Sequence, residues 1–232
     1  MAPSRLSKPG WRIVGGLLLA LLIWFGGPRL LRGLAFFKVS KVEVRGLRNL
    51  RPEEIVKALP VPEGMSIFDD LGPVQQAADS FKGLDRVRVG RRLPGTIVVT
   101  VDEAEPVALV MRRGKLALVS EAGLVLPFDP TVGAPDLPVI READSLVAGL
   151  LARVRDADAT FFASVTEGWR SGDDVVLEVD GQRYLFRPDA PAEVIRAVMA
   201  VAQDLAKTRK GRRWAELDGR FAGQVVVRWG GA

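Results

Sequence analysis

The sequence predicts an α+β protein with a single N-terminal membrane helix, a small domain of order β-α-α-β-β, and a larger, mainly antiparallel β-domain with covering helices. Three observations lead to this fold class. An uncharged apolar run occupies residues 13–28, short segments of alternating apolar and polar residues recur after it, and apolar residues at helical spacing separate several of these segments. With 232 residues and 48% hydrophobic content, the chain can bury one or two cores.

The composition argues against several classes of function. The formal net charge is +5, but six of the 33 basic residues lie in the first 38 positions, where no acidic residue occurs. The remaining 27 basic residues face 28 acidic ones, so the folded part is nearly neutral and no nucleic-acid partner is expected. The chain has no cysteine and no histidine, which removes the common thiol and imidazole nucleophiles and metal ligands. We therefore expect no enzyme, no cofactor, no metal and no small-molecule substrate.

The apolar run predicts a retained membrane anchor over residues 13–34, preceded by a cytoplasmic tail over residues 1–12. A cleaved signal peptide is the alternative, but no small-x-small cleavage site follows the run. Basic residues flank both ends, so charge alone does not orient the helix, whereas the long C-terminal part favours a cytoplasmic N-terminus.

The segment after the anchor predicts the order β-α-α-β-β. Alternation around Val42 and Val44 indicates a first strand, and prolines at 52 and 73 open two short amphipathic helices. Alternation around Val87 and Val89 indicates a second strand. A turn at Pro94-Gly95 follows, where the glycine is expected to take a positive φ. A third strand then places the side chains of one face in the core, namely Ile97, Val99 and Val101.

The C-terminal half predicts strands around two amphipathic helices. Alternating segments flank a turn at residues 112–114, and a helical stripe of apolar residues covers residues 146–154. Asp180-Gly181 is a strong two-residue hairpin signal between two further strands. A second helix runs from about residue 191 to near Gly211, and the chain ends in a strand pair.

Several motifs in this order resemble the FtsQ/DivIB family of bacterial cell-division proteins. They are Val-x-Val-x-Gly at residues 42–46, a Gly-x-x-(Leu/Ile)-Phe box at 64–68, Arg-Arg-Leu-Pro at 91–94, Glu-Pro-Val-Ala at 105–108 and a terminal strand pair at 217–229. Leu93 replaces a commoner aromatic residue, and Gly219 a commoner leucine. The resemblance implies a POTRA domain over residues 38–107 and an FtsQ-type β-domain over residues 108–232.

The resemblance also implies a function and partners. It implies a non-enzymatic scaffold of the divisome, the assembly that links division proteins to septal peptidoglycan synthesis. The partners would be membrane proteins of the FtsB/DivIC and FtsL type. The chain would be a single-pass protein of the inner (cell) membrane, enriched at the septum, with most of its length outside the cytoplasm.

The terminal strand is the candidate partner-binding site. Little chain follows it, so its edge is expected to be uncovered and open to a partner strand. Proline at Val226 is expected to abolish partner binding without unfolding the domain. The candidate residues are Arg220, Phe221, Gln224, Val225, Val226, Val227, Arg228 and Trp229, with Arg91 and Arg92 as secondary candidates.

Two other functions are considered. A POTRA-bearing component of an envelope protein-translocation system would need a transmembrane β-barrel, and the chain lacks the required series of roughly ten-residue alternating strands. A secreted hydrolase would need a cleaved signal, and N-terminal sequencing of the exported form would reveal it. No catalytic sequence motif supports the hydrolase.

Overall fold

The computed structural model describes residues 15–17, 33–131, 136–208 and 214–230. The predicted cytoplasmic tail and most of the predicted anchor lie outside these residues. Among the described helices, none has both the length and the apolar character needed to cross a membrane. The chain divides between Glu103 and Ala104 into two compact units, which we call unit 1 and unit 2. This division lies four residues before the boundary expected at 107/108, because Pro106 and Val107 already belong to a strand of unit 2.

Unit 1 has the predicted order of elements. After a 3-10 turn at Ala35–Phe37, it contains β1 (Lys41–Arg45), α1 (Pro52–Ala58), α2 (Gly72–Asp79), β2 (Leu84–Arg92) and β3 (Thr96–Glu103). The sheet order is β1-β3-β2, with β1 parallel and β2 antiparallel to the central β3. The predicted face of β3 is buried in the core with Ile55 of α1 and Val74 of α2.

The turn between β2 and β3 is correctly predicted, but the role expected of its glycine is wrong. Gly95 is not among the residues with positive φ. Instead, the backbone of residues 38–40 crosses it closely, and the N–H of Ser40 donates to the Gly95 carbonyl at 2.9 Å. A Cβ at this position would overlap the carbonyl oxygen of Lys38. The position therefore requires glycine because the backbone approaches closely.

A carboxylate at the end of β3 fixes the loop before α1. The Glu103 side chain accepts hydrogen bonds at 2.9 Å from the backbone N–H groups of Arg48, Asn49 and Leu50, and one at 2.8 Å from the Asn49 amide. Burial opposes ionisation of this carboxyl, but the donated hydrogen bonds outweigh that effect and hold the pKa of Glu103 below its ordinary value.

Replacing Glu103 with glutamine is expected to lower the stability of unit 1 at neutral pH by about 1.5 kcal/mol, since hydrogen bonds to a charged group are lost. Because the folded pKa is lowered, this contribution is complete above the ordinary carboxyl value of about 4.3 and is lost as pH falls through the folded pKa. Hydrogen exchange of the β3 amides, followed from neutral to acid pH in the parent chain and the variant, measures this contribution to stability. An unchanged acid dependence in Glu103→Gln would contradict the assignment.

The described residues of unit 2 form one eight-stranded sheet and three helices. Its elements are β4 (Pro106–Arg112), β5 (Lys115–Ser120), β6 (Val139–Ile140), α3 (Ser145–Ala157), α4 (Ala159–Ser164), β7 (Glu167–Ser171), β8 (Asp174–Val179), β9 (Gln182–Phe186), α5 (Ala192–Thr208), β10 (Trp214–Asp218) and β11 (Val226–Trp229). The strand order is β11-β10-β9-β8-β7-β6-β4-β5.

Four of the seven strand pairs of this sheet are antiparallel, in line with the predicted mainly antiparallel domain, and three are parallel. Two of the parallel pairs, β6-β7 and β9-β10, are joined through helices, as parallel neighbours require a crossover. The helices bury one face of the sheet in a single apolar core that includes Leu150, Leu177, Phe186, Ile195 and Leu217. We call the opposite face of the sheet its outer face.

The predicted helices and hairpin of unit 2 are present. Asp180 and Gly181 both have positive φ, as a two-residue hairpin of this sequence predicts. Strands β6 and β7 and helix α4 were not predicted. β6 has only two residues, β7 reads Glu-Gly-Trp-Arg-Ser without apolar alternation, and α4 has six residues begun by an Asp158 cap. Such short elements depend on packing against neighbours more than on local pattern.

Gly219 stands where a leucine is commoner in the family that the chain resembles, and helix α5 packs closely against it. The N–H of Gly219 donates to the Leu185 carbonyl at 2.9 Å, which holds the chain flat against β9. A Cβ at position 219 would lie 2.6 Å from Cγ2 of Val198 in α5. The helix therefore packs against a bare backbone here, and a leucine would need the helix to move.

Candidate functional site

Strand β11 forms one edge of the eight-stranded sheet and pairs only with β10 among the described strands. Asp218 lies opposite Val226, Leu217 opposite Val227 and Glu216 opposite Arg228. The side chains of Val225, Val227 and Trp229 pack on the core, so those of Val226 and Arg228 point to the outer face. The sequence predicted this alternation.

The register also determines which backbone groups of β11 are free. The N–H of Gly219 donates to Leu185 of β9, and along a strand the backbone N–H and C=O groups of successive residues point to opposite neighbours. The backbone groups of Leu217 therefore point to β9, and those of Glu216 and Asp218 point to β11. Val226 and Arg228 are therefore the hydrogen-bonded partners of Asp218 and Glu216. The N–H and C=O groups of Val227 therefore point away from the sheet.

This geometry changes the expected effect of proline at Val226. The N–H of Val226 belongs to the internal ladder with β10, so its removal would detach β11 from its own sheet. The outward donor at the centre of the strand is the N–H of Val227. A proline that tests the edge without breaking the ladder therefore belongs at Val227.

Exposed apolar side chains accompany the edge. Phe221, in the turn between β10 and β11, is 46% exposed, and Val226 is 37% exposed. Gln224 lies in the same turn and is exposed, with its N–H directed at the Phe221 carbonyl at 3.4 Å. The edge therefore combines free backbone groups with exposed apolar side chains at one end.

Arg228 is the candidate side chain with a charged partner on the neighbouring strand. Its Nη1 donates to Oε1 of Glu216 at 2.6 Å, while the Arg228 side chain stays 58% exposed. The pair is an exposed cross-strand contact, which contributes little to stability and leaves the guanidinium accessible.

Arg220, in contrast, is part of an ion cluster inside unit 2. Its Nε and Nη2 donate to the two carboxylate oxygens of Asp218 at 2.8 and 2.6 Å, and its Nη1 donates to Asp174 at 2.6 Å. Asp218 is fully buried, and Asp174 at the start of β8 is about a quarter exposed. The cluster ties the turn that leads into β11 to a strand three positions away in the sheet.

The cluster shifts both partners towards their charged forms. The hydrogen bonds from Arg220 hold the pKa of Asp218 below its ordinary value although burial opposes this. The hydrogen bonds to Asp218 and Asp174 raise the pKa of Arg220. The sequence did not identify Asp218, Asp174 and Glu216 as partners of the candidate arginines. Their negative charge was the available signal, but the strand register that pairs them with the arginines is visible only in the structure.

The secondary candidates Arg91 and Arg92 lie in unit 1 and hold its own chain. Arg91 donates from Nε to the Ile67 carbonyl and from Nη2 to the Asp69 carbonyl, each at 2.8 Å. Arg92 donates to Glu43 of β1. The guanidinium groups therefore bind the loop before α2 and the opposite edge strand of the sheet.

Within the described ranges no group of His, Cys, Asp or Glu side chains could hold a metal ion. Burial, and then the negative charge of Asp180, raise the pKa of the Tyr184 hydroxyl to about 12. Tyr184 lies in the core against Phe161 and Trp214, away from the edge strand. Its shift follows from packing.

Comparison with known proteins places unit 1 in a described domain family. Residues 37–104 match the family "POTRA domain, FtsQ-type". The chain is 24% identical over 204 residues to the cell division protein FtsQ of Corynebacterium glutamicum, which covers 85% of this chain and 87% of the relative. It is 34% identical over 149 residues to FtsQ of Streptomyces bingchenggensis, covering 62% of this chain and 55% of the relative.

Other matches are shorter. The chain is 31% identical to FtsQ of Geotalea daltonii over 103 residues, which are 43% of this chain and 38% of the relative. Among solved structures, the major extracytoplasmic domain of DivIB from Geobacillus stearothermophilus matches with a TM-score of 0.34 and 22% identity, covering 46% of this chain and 98% of that domain.

Proposed function

Since this chain belongs to the FtsQ/DivIB family of bacterial cell-division proteins, we propose that it is a non-enzymatic scaffold of the divisome that binds other division proteins through the free edge of β11. A partner strand would add to the sheet next to β11 and pair with the outward N–H and C=O groups of Val227. The observation that supports the proposal is the register of β11, which directs these groups away from β10, the one strand that β11 pairs with among the described residues.

Side chains would add selectivity to this backbone pairing. Val226 and Arg228 project from the outer face of the same strand, and Phe221 is exposed in the adjoining turn. A partner that presents an apolar residue and an acidic residue on one face of its strand would match these side chains. Partners of the FtsB/DivIC and FtsL type are the proposed source of that strand.

The proposed placement follows the sequence. A membrane helix over residues 13–34 would hold the chain in the cell membrane, with residues 1–12 in the cytoplasm and both folded units outside it, at the division septum. Secreted hydrolase activity would need a catalytic cluster. At the candidate site, Asp218 and Asp174 lie together, but both carboxylates accept hydrogen bonds from the Arg220 guanidinium, so this pair is a structural ion cluster.

Site-specific photo-crosslinking in dividing cells tests this function. A photoreactive residue at Val226 or Arg228 is expected to capture a protein of the FtsB/DivIC or FtsL type, which mass spectrometry identifies. The same residue at Arg196, exposed on α5 of the opposite layer, is the matched control and should capture none of them. Equal capture from positions 196 and 226 would refute the edge as the binding site.

A further inference from the structure

The face of the unit 1 sheet that is not covered by helices is strongly basic. The register brings Lys41, Thr96 and Arg92 into one row across the three strands, and Arg45, Thr100 and Arg88 into another. Arg86 lies beside Asp102 in a further row, with 3.9 Å between the charged atoms. We call this surface the basic face, and its cations are Lys41, Arg45, Arg86, Arg88 and Arg92.

The opposite layer of unit 1 carries the opposite charge. Residues 52–79, which contain both helices, include six acidic residues and a single basic one, Lys57. The folded residues 38–103 of unit 1 are therefore electrically polarised although their net charge is only +1, from 11 basic and 10 acidic residues. A polarised domain orients in the field of a charged surface.

The cations of the basic face divide into two groups. Arg45 and Arg92 both donate hydrogen bonds to Glu43 in the middle of the face. The hydrogen bond from Arg45 has the largest effect and that from Arg92 the next, and together they hold the pKa of Glu43 below its ordinary value. Lys41 lies 3.8 Å from Glu43 and Arg86 lies 3.9 Å from Asp102, measured between the charged atoms, and both basic side chains are about two-thirds exposed. Arg88 is exposed and has no charged partner among the described residues.

The centre of the basic face holds short side chains and the Glu43 carboxylate that Arg45 and Arg92 neutralise. Between the long cationic side chains lie Thr96 and Thr100, the half-buried Val98, and Gly90, which has no side chain. Long cationic side chains around short neutral ones match a plane of negatively charged groups, such as lipid headgroups.

We propose that the basic face docks unit 1 onto the anionic phospholipid headgroups of the membrane in which the chain is anchored. This rests on the membrane anchor of the proposed function. The proposed anchor ends at residue 34 and β1 begins at Lys41, so the six residues between them would span at most about 20 Å. So short a tether keeps the basic face at high effective concentration near the lipid surface.

The strength of docking follows from the charges. Each cation close to an anionic membrane surface contributes about fivefold to binding, and the attraction decays within a Debye length of about 8 Å at physiological salt. Neutralising three cations should therefore lower the ratio of docked to undocked chains about 100-fold. Lys41, Arg86 and Arg88 are the cations to change, because Arg45 and Arg92 also hold the fold.

The test uses the full chain in nanodiscs of phosphatidylglycerol or of phosphatidylcholine. The chain has no cysteine, so Thr100→Cys gives a single nitroxide site on the basic face, and Gln76→Cys gives a control site on the exposed surface of α2. A nickel-chelating lipid reports by relaxation enhancement how close each nitroxide lies to the headgroups. We expect enhancement at position 100 only, in phosphatidylglycerol only, and its loss at about 1 M salt, where the Debye length is about 3 Å.

The decisive variant combines Lys41→Gln, Arg86→Gln and Arg88→Gln. Its matched control combines Arg112→Gln, Arg113→Gln and Lys115→Gln, which removes three exposed charges at the β4–β5 turn of unit 2. Loss of enhancement in the first variant and retention in the second supports docking. Equal enhancement at position 100 in both lipids, or equal loss of enhancement in both variants, overturns it.

Failure of the proposed function is a separate result. Absence of the chain from the nanodisc fraction would overturn the anchor and the lipid-docked state with it. Capture of the division partner by position 226 depends on β11, and the Lys41/Arg86/Arg88 variant should leave that capture unchanged. A chain that is inserted and captures its partner, but whose position 100 stays away from lipid, would overturn docking alone.

Discussion

Replacing Val227 with proline is expected to abolish partner binding while unit 2 stays folded. Proline removes the outward N–H at the centre of β11 and places its ring where the added strand would lie. The partner carbonyl then loses its donor in a buried position, at a cost of up to about 3 kcal/mol, which is about 100-fold in affinity. Co-purification with the FtsB/DivIC-type protein of the same bacterium measures the loss.

Two variants make this result specific. Val227→Ala loses the same contact of the side chain with the core but keeps the N–H, so it should bind almost as well as the parent chain. Val226→Pro removes a donor to β10 and should destabilise unit 2 in addition to weakening binding. If Val227→Pro binds as tightly as Val227→Ala, strand addition at β11 is wrong.

Replacing Arg220 with alanine is expected to destabilise unit 2 by about 3 kcal/mol, because it removes both guanidinium hydrogen bonds to the fully buried Asp218. The carboxylate then keeps only the hydrogen bond from the backbone N–H of residue 220, at 3.1 Å. The nearest remaining cation is Arg228, at 4.0 Å. Urea unfolding followed by tryptophan fluorescence measures the effect, since Trp169, Trp214 and Trp229 all lie in unit 2.

The matched control is Arg228→Ala, which removes an exposed arginine from the same edge and should cost less than about 1 kcal/mol. Arg220→Lys keeps the charge but cannot reproduce the two-pronged contact, so an intermediate loss is expected. Because the folded pKa of Asp218 is lowered, the contribution of the cluster is present above the carboxyl range and disappears as pH falls through it. Equal stability of the two alanine variants would show that the cluster is not structural.

Much of the fold could be predicted from local pattern. The alternation of Ile97, Val99 and Val101 and the turn residues Asp180 and Gly181 each encode their conformation within a few residues. The short elements β6, α4 and β7 could not be predicted in this way. They exist because neighbouring strands and helices bury them, as with Gly168 of β7, which is buried below Val147 of α3.

Of the candidate site, the sequence determined the strand, the alternation of its side chains and the family resemblance. Only the tertiary structure decided which backbone groups are free and which arginine is available. Side-chain alternation has a period of two residues and can be read locally, but the direction of an N–H depends on the strand beside it. For β11 that direction is fixed through β10 by the hydrogen bond from Gly219 to Leu185, 34 positions earlier in the chain. In the same way Asp174, 46 positions before Arg220, draws that arginine into an internal cluster and leaves Arg228 exposed at the edge.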